Sequence, residues 1–285
     1  MTNSKSISSP MQLQSVPLSN LYLKEAAADL PQISPWMLRW FTAYSRRYLR
    51  RHFHALRIAS KSWPGDTARL PLVIFSNHAA WWDPLVAIVL KSEFFSDRAA
   101  YAPMDAAMLA RYKIFRRLGF FGVESDHRRG AVRFLKTAEK VLSSPENLLL
   151  ITPQSRFADV RERPVKFESG LGHLAARVER AWFLPVAVEY VFWEERLPEI
   201  LVRFGDLFEA GHGVATKQPA EWTHILENQL ELTQDALAAE ARARRSENFQ
   251  VLLKGGAGQG GVYDVWRALR ARLRGEHFRK EHGQK

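Results

Sequence analysis

The chain of 285 residues contains no cysteine. That absence excludes disulfides, thiolate nucleophiles and cysteine-ligated zinc, and it fits an intracellular, reducing compartment. No apolar run reaches the ~20 residues of a membrane-spanning helix, and the basic start, apolar stretch and cleavage site of a secretory signal are missing, so neither is expected. There is no His-Glu-x-x-His and no clustering of carboxylates with histidines, so no metal site is expected. Gly-x-Ser-x-Gly is absent too, which removes the strained nucleophile elbow of serine hydrolases. Acidic residues are in short supply: 30 Asp and Glu stand against 41 Lys and Arg, a net charge of +11. That balance points to an anionic partner, whether nucleic acid, an acidic membrane face or a phosphorylated substrate. A basic nucleic-acid-binding protein fits the charge and the aromatics but lacks any recognition module, so no nucleic-acid partner is expected.

What is present is enough apolar sequence, 46% of residues, to bury one full core. Residues 1–33 read as a mobile tail rich in Ser, Asn, Gln and Pro. Residues 34–60 read as a basic amphipathic helix, with Ser34 as its N-cap and Pro35 as its first residue. Trp36, Trp40, Phe41, Tyr44 and Tyr48 recur along it at roughly helical spacing, and Arg46, Arg47, Arg50 and Arg51 fill the other faces. Such a stripe either packs on the domain or lies on a membrane surface. From 61 to 215, short apolar runs alternate with helical patterns, the texture of an α/β core. The expected fold is therefore a single α/β domain with a mostly parallel, partly mixed central sheet flanked by helices and preceded by the amphipathic helix. Residues 216–285 read as a helical extension. Its Gly256-Ala257-Gly258-Gln259-Gly260-Gly261 contains Gly-x-Gly-x-x-Gly, but too little sequence follows for a dinucleotide-binding unit, and it reads as a flexible turn.

The chemistry gathers after the apolar run Leu70 to Ser76, because functional groups in α/β folds collect at the carboxyl ends of strands. There the chain reads Asn77-His78-Ala79-Ala80-Trp81-Trp82-Asp83-Pro84. A histidine titrates near neutral pH, and a carboxylate on its other ring nitrogen fixes the tautomer and stabilises the imidazolium. A five-residue offset on a regular helix turns about 140°, so His78 and Asp83 can meet only if the segment curves as a loop, and Pro84 disfavours helix at Asp83. The structural alternatives are a satisfied core histidine at His78 and a helix-starting Asp at Asp83, and the second is compatible with the catalytic role.

This segment resembles the first motif of the glycerolipid acyltransferases, the family that includes lysophosphatidate acyltransferases: an Asn-His with an Asp five residues after the His. The resemblance covers roughly Leu70 to Gly211. It implies that His78, oriented by Asp83, is the general base that deprotonates an acceptor hydroxyl for attack on an acyl thioester, either acyl-coenzyme A or acyl carrier protein, with no other cofactor. A second block, Arg117 to Ser125, carries Ser125 where relatives place a phosphate-holding Arg, with Arg128 and Arg129 close behind. A third, Thr152-Pro153-Gln154-Ser155-Arg156, stands where relatives carry Phe-Pro-Glu-Gly-Thr-Arg. Gln154 keeps hydrogen-bonding reach without charge. Asn77, Gln154, Arg128, Arg156, Arg161, Arg163 and Lys166 are the expected substrate-binding residues, the cations for their grip on phosphate. The fourth block, Phe183 to Val188, is an apolar strand whose Pro185 is expected at the mouth of the sheet. The resemblance further implies a lysophospholipid-like acceptor and peripheral attachment to the cytoplasmic face of the inner membrane. The departures at Ser125 and Gln154 motivate a second acceptor class, a non-phosphorylated lipid or glycosylated isoprenoid alcohol.

Overall fold

Helix α1, Pro35–His52, starts as its sequence dictates: the Ser34 hydroxyl accepts from Met37 N at 3.4 Å, and Pro35 opens the first turn. Arg50, Arg51 and His52 occupy the last turn, where cations complement the helix dipole. The helix does not run to residue 60. Phe53 is extended, and Ala55–Ala59 form a strand, β1, buried along its whole length. Local spacing could not expose this, because Phe53, Leu56 and Ile58 suit either periodicity, and β1 is fixed by partners some 140 and 195 residues away, Leu56 lying opposite Ile200 and Leu253.

The computed structural model describes residues 30–60, 62, 63, 65, 67, 69–124 and 128–256. Residues 1–29 of the expected tail and 257–285 of the expected extension lie outside them, as does Ser125. After β1 come β2 (Leu72–Ser76), α2 (Asp83–Phe94), β3 (Ala99–Asp105), α3 (Ala106–Arg111), β4 (Phe120–Val123), α4 (Arg128–Val141) and β5 (Asn147–Ile151). Then follow α5 (Gly170–Arg177), β6 (Ala181–Val191), β7 (Glu199–Phe204), β8 (Phe208–Ala210), α6 (Pro219–Ala243) and β9 (Phe249–Lys254). The strands form one sheet in the order β4-β3-β5-β2-β6-β7-β1-β9, with β8 on the first residues of β6. Strands β4, β3, β5, β2 and β6 are parallel, as are β7 and β1, while β6–β7, β6–β8 and β1–β9 are antiparallel. This is the expected mostly parallel, partly mixed α/β domain. Because β1 and β9 complete the sheet and α6 packs on it, residues 61–215 do not bound the core.

Helices α1 and α2 cover one face, where Leu49, Phe53, Val86 and Val89 pack on Leu72, Ile74, Val186 and Val202. Helices α4, α5 and α6 cover the other, around Phe75, Leu149 and Phe183. Helices α5 and α6 approach so closely that a Cβ at Gly172 would strike Thr223. Pro185 lies mid-strand in β6 but opposite Phe75, one residue before β2 ends, and Gly205 N donates to its carbonyl at 2.9 Å between the end of β7 and the start of β8. The missing amide falls at that break in the neighbouring ladder.

Candidate active site

Strand β6 has 11 residues and its parallel neighbour β2 has five, so β6 runs on beside the loop that leaves β2. The loop uses that overhang. Asn77 continues the ladder with its side chain, Nδ2 donating to Val188 O and Oδ1 accepting from Val188 N, both at 2.9 Å. Asn77, expected from the sequence to bind substrate, is 1% exposed with both ends of its amide engaged by Val188, so the structure places it as an anchor of the loop. Beyond it the chain curves through residues 78–82 and enters α2 at Asp83, with Trp82 as the cap residue and Pro84 in the first turn. Asp83 is thus both the first helical residue and the partner of His78, the two roles that the sequence allowed.

His78 Nδ1 lies 2.8 Å from Asp83 Oδ2. Asp83 is acceptor-only when ionised, so Nδ1 carries the proton and Nε2 keeps its lone pair. The same Oδ2 accepts from Ala80 N at 3.0 Å, and Oδ1 accepts from the Tyr190 hydroxyl at 2.6 Å. Asp83 is buried, whereas the His78 side chain is 23% exposed and its Nε2 has no hydrogen-bond partner among the described residues. The His78 backbone is held from the β5 side: its N–H donates to Gln154 Oε1 at 3.2 Å and its carbonyl accepts from Ala158 N at 2.9 Å. Phe157 stacks at a tilt on the His78 ring, centroids 4.3 Å apart, and is itself 58% exposed. Burial, then the Asp83 charge and hydrogen bond, push the Tyr190 hydroxyl far above its ordinary range, so it stays a donor.

Gln154 sits in the tight turn Thr152 to Ser155, closed by Ser155 N donating to Thr152 O at 3.1 Å. Ser155 takes a φ of +54°, a left-handed conformation that favours glycine. The cations beyond it are engaged. Arg156 pairs with Glu162, Arg161 with Asp159 at 2.7 Å, Arg163 with Asp235 and Lys166 with Glu227 at 3.7 Å. Arg163 and Lys166 therefore reach to α6, which also receives the backbone of the loop through Glu231 and Glu227. Arg128 opens α4, and its side chain lies outside the described residues. Among the described residues no group of His, Asp and Glu side chains is placed to hold a metal ion.

A narrow apolar slot runs between α2 and the sheet. Asp83 and Ser76 stand at one end, Val86, Ala87, Leu90 and Val186 along it, and Lys91 and Phe95 at the other end. Asp83, Val86, Ala87, Leu90 and Lys91 follow helical spacing, so the slot extends along about 12 Å of α2. Desolvation lowers the Lys91 pKa against an opposing pull from Asp97. Tyr190 and the slot carried no sequence signal: Tyr190 stands 107 residues from Asp83 in an apolar run that reads as an ordinary strand.

No protein-family model matches the chain, and no curated protein matches it. Among solved structures it is similar to the 1-acyl-sn-glycerophosphate (LPA) acyltransferase PlsC of Thermotoga maritima, at 14% identity and a TM-score of 0.49, over 73% of this chain and 81% of that one. A likeness of that size does not carry function, which has to come from the site's own geometry.

Proposed function

We propose that the chain is an O-acyltransferase that moves a fatty acyl group from a thioester, acyl-coenzyme A or acyl carrier protein, to a hydroxyl of a lysophospholipid-like acceptor. The observation that carries this reading is the His78–Asp83 pair, with Nε2 unpartnered among the described residues and Asp83 lining one end of an apolar slot. Nε2 takes the acceptor hydroxyl proton as its oxygen bonds to the thioester carbonyl carbon, and Asp83 stabilises the imidazolium. The intermediate then collapses, the C–S bond breaks and the thiol leaves with the proton returned by His78. No acyl-enzyme is needed, which suits a chain without cysteine. The slot beside Asp83 fits an alkyl chain, being apolar and extended.

A membrane surface is the proposed setting. Trp36, Trp40 and Tyr44 of α1 are exposed, beside exposed Arg39, Arg47, Arg50 and Arg51. Ring contacts lead from Trp40 through Tyr44 and Tyr48 to Trp81, itself 55% exposed, next to the catalytic loop. An aromatic stripe flanked by Arg fits a headgroup layer of anionic lipid, and no helix among the described residues is long and apolar enough to cross a membrane. That supports peripheral attachment, in our reading at the cytoplasmic face of the inner membrane.

A second acceptor class, a non-phosphorylated lipid or glycosylated isoprenoid alcohol, is favoured by one observation: Gln154 is uncharged and all four cations of the loop already face carboxylates. The test is thiol release and product analysis with purified protein, both donors, and lysophosphatidate against neutral acceptors. His78→Ala should abolish transfer in a folded protein; persisting turnover would refute the reading. Co-sedimentation with anionic vesicles that is unaffected in Trp36→Ala/Trp40→Ala would remove α1 from membrane contact.

A further inference from the structure

The Asp83 carboxylate is held by three donors, two on Oδ2 and one, Tyr190, on Oδ1. We infer that Tyr190 is a positioning residue that sets both the aim and the strength of the general base, a role that rests on reading His78 as that base. The geometry gives two separate effects. A carboxylate pinned at Oδ1 cannot rotate about its Cβ–Cγ bond, so Oδ2 stays directed at His78 Nδ1. At 2.6 Å the phenol also makes a short charge-assisted hydrogen bond, which draws negative charge toward Oδ1 and away from the imidazole. Tyr190 thereby moderates how strongly Asp83 favours the protonated form of His78.

The strand makes this contact dependable. Val188 and Tyr190 lie two residues apart on one face of β6, so the strand that anchors Asn77 also anchors Asp83, and the catalytic loop is fastened at both ends to one rigid element. The Tyr190 ring is held apart from its hydroxyl, by Phe53 and Trp82 at 5.8 Å each. Phenylalanine would keep that packing and lose only the donor. Among the described residues, other charged and titratable groups facing the pair are few. Lys91 lies two turns along α2 at the far end of the slot, Tyr48 stacks with His52 behind Trp81, Arg156 is paired within the 154–162 loop, and Glu189 points to the opposite face of β6.

The test compares wild type, Tyr190→Phe and a protein with a fluorinated tyrosine at 190, whose more acidic phenol is a stronger donor. Two readouts are used. The first needs no substrate: the titration of the His78 imidazole followed by NMR, its signal assigned by its absence in His78→Ala. Its midpoint should move to higher pH in Tyr190→Phe, where Asp83 recovers charge, and to lower pH with the fluorinated residue. The second is kcat and KM with the donor and acceptor that give turnover. Tyr190→Phe should lower kcat about tenfold with KM unchanged, and fluorotyrosine should restore most of it. A folded Tyr190→Phe protein whose His78 midpoint and kcat match wild type overturns the inference. If Tyr190→Phe fails to fold, the fluorinated protein decides, and an unmoved midpoint there overturns it equally. Opposite midpoint shifts in a protein without transferase activity would uphold the coupling and refute the proposed reaction instead.

Discussion

Asp83→Asn separates the charge of the catalytic pair from its geometry. Asn can satisfy the same neighbours: its carbonyl placed at the Oδ2 position accepts from His78 Nδ1 and Ala80 N, and its NH2 at the Oδ1 position donates to the Tyr190 hydroxyl, which can accept. The tautomer with Nε2 free survives, so the loss comes from charge alone. With charge centres about 4 Å apart and an effective dielectric near 20, the attraction of Asp83 for the imidazolium is about 4 kcal/mol. At ~1.4 kcal/mol per tenfold, kcat should fall by roughly a thousandfold. Stability should change little, by ~1 kcal/mol for the lost negative charge at the start of α2. Asp83→Ala is the poorer variant, because it leaves three donors unmet and costs about 3 kcal/mol or more of stability. The assay is single-acceptor turnover by thiol release, with circular dichroism and thermal unfolding on the same preparation. A folded Asp83→Asn protein within about tenfold of wild-type kcat would refute an imidazolium stabilised by Asp83.

Further expectations follow from the slot and the loop. Ala87→Phe narrows the slot, and palmitoyl transfer should drop about tenfold or more while acetyl transfer holds; an equal loss for both would detach the slot from acyl binding. Burial lowers the Lys91 pKa, so its charged form burdens the fold at neutral pH and the burden lifts as pH rises toward the ordinary lysine value. Lys91→Met should therefore stabilise by about 1 kcal/mol at pH ~7 and by less near pH ~10.5, read as the difference in Tm at the two values. Ser155 is left-handed at φ +54°, so Ser155→Gly should be neutral or stabilising by up to ~1 kcal/mol, whereas Ser155→Val should destabilise by about 1–2 kcal/mol in urea titrations; the reverse order would contradict the geometry. Arg156→Gln should raise KM about fivefold for a phosphorylated acceptor and leave a neutral one unchanged, and no change for either would exclude Arg156 from phosphate binding.

Short-range features were legible in the sequence. The run Leu70 to Ser76, the proline after Asp83 and the offset between His78 and Asp83 required a strand, a loop and a helix start in that order, and all three are present. The apolar strand around Phe183 to Val188 and the helical character of the chain after residue 216 were legible as well, and they are observed as Ala181–Val191 and Pro219–Ala243. What stayed hidden was set by partners distant in the chain. Strand β1 carries the same residue types as the end of α1, and only pairing with β7 and β9 makes it a strand. Tyr190 reads as one more strand residue until β6 is laid beside the loop after β2. The ion pairs of the cationic loop were hidden for a similar reason: Asp235 and Glu227, which take up Arg163 and Lys166, lie more than 60 residues later on α6.

Two different elements hold the two halves of the site, and that separation bears on what each half can be. The base pair is fastened to β6, through Asn77 to Val188 and Asp83 to Tyr190. The loop from Arg161 to Lys166 is fastened to α6, through Asp235, Glu231 and Glu227. Gln154 and Ala158 join the halves through the His78 backbone, and Phe157 joins them through its tilted contact with the imidazole ring. None of these three contacts is with a charged side chain, so a change of charge in the loop should leave the bond between His78 and Asp83 in place. Arg156 and Glu162 pair at the surface, where solvent screens the attraction and an ion pair is worth little, so a phosphate could displace Glu162 there at small cost. Arg163 and Lys166, by contrast, would have to leave α6 and loosen the loop's attachment. If the acceptor carries a phosphate, Arg156 is thus the residue of the four best placed to hold it, since it adjoins Phe157, which stacks on His78.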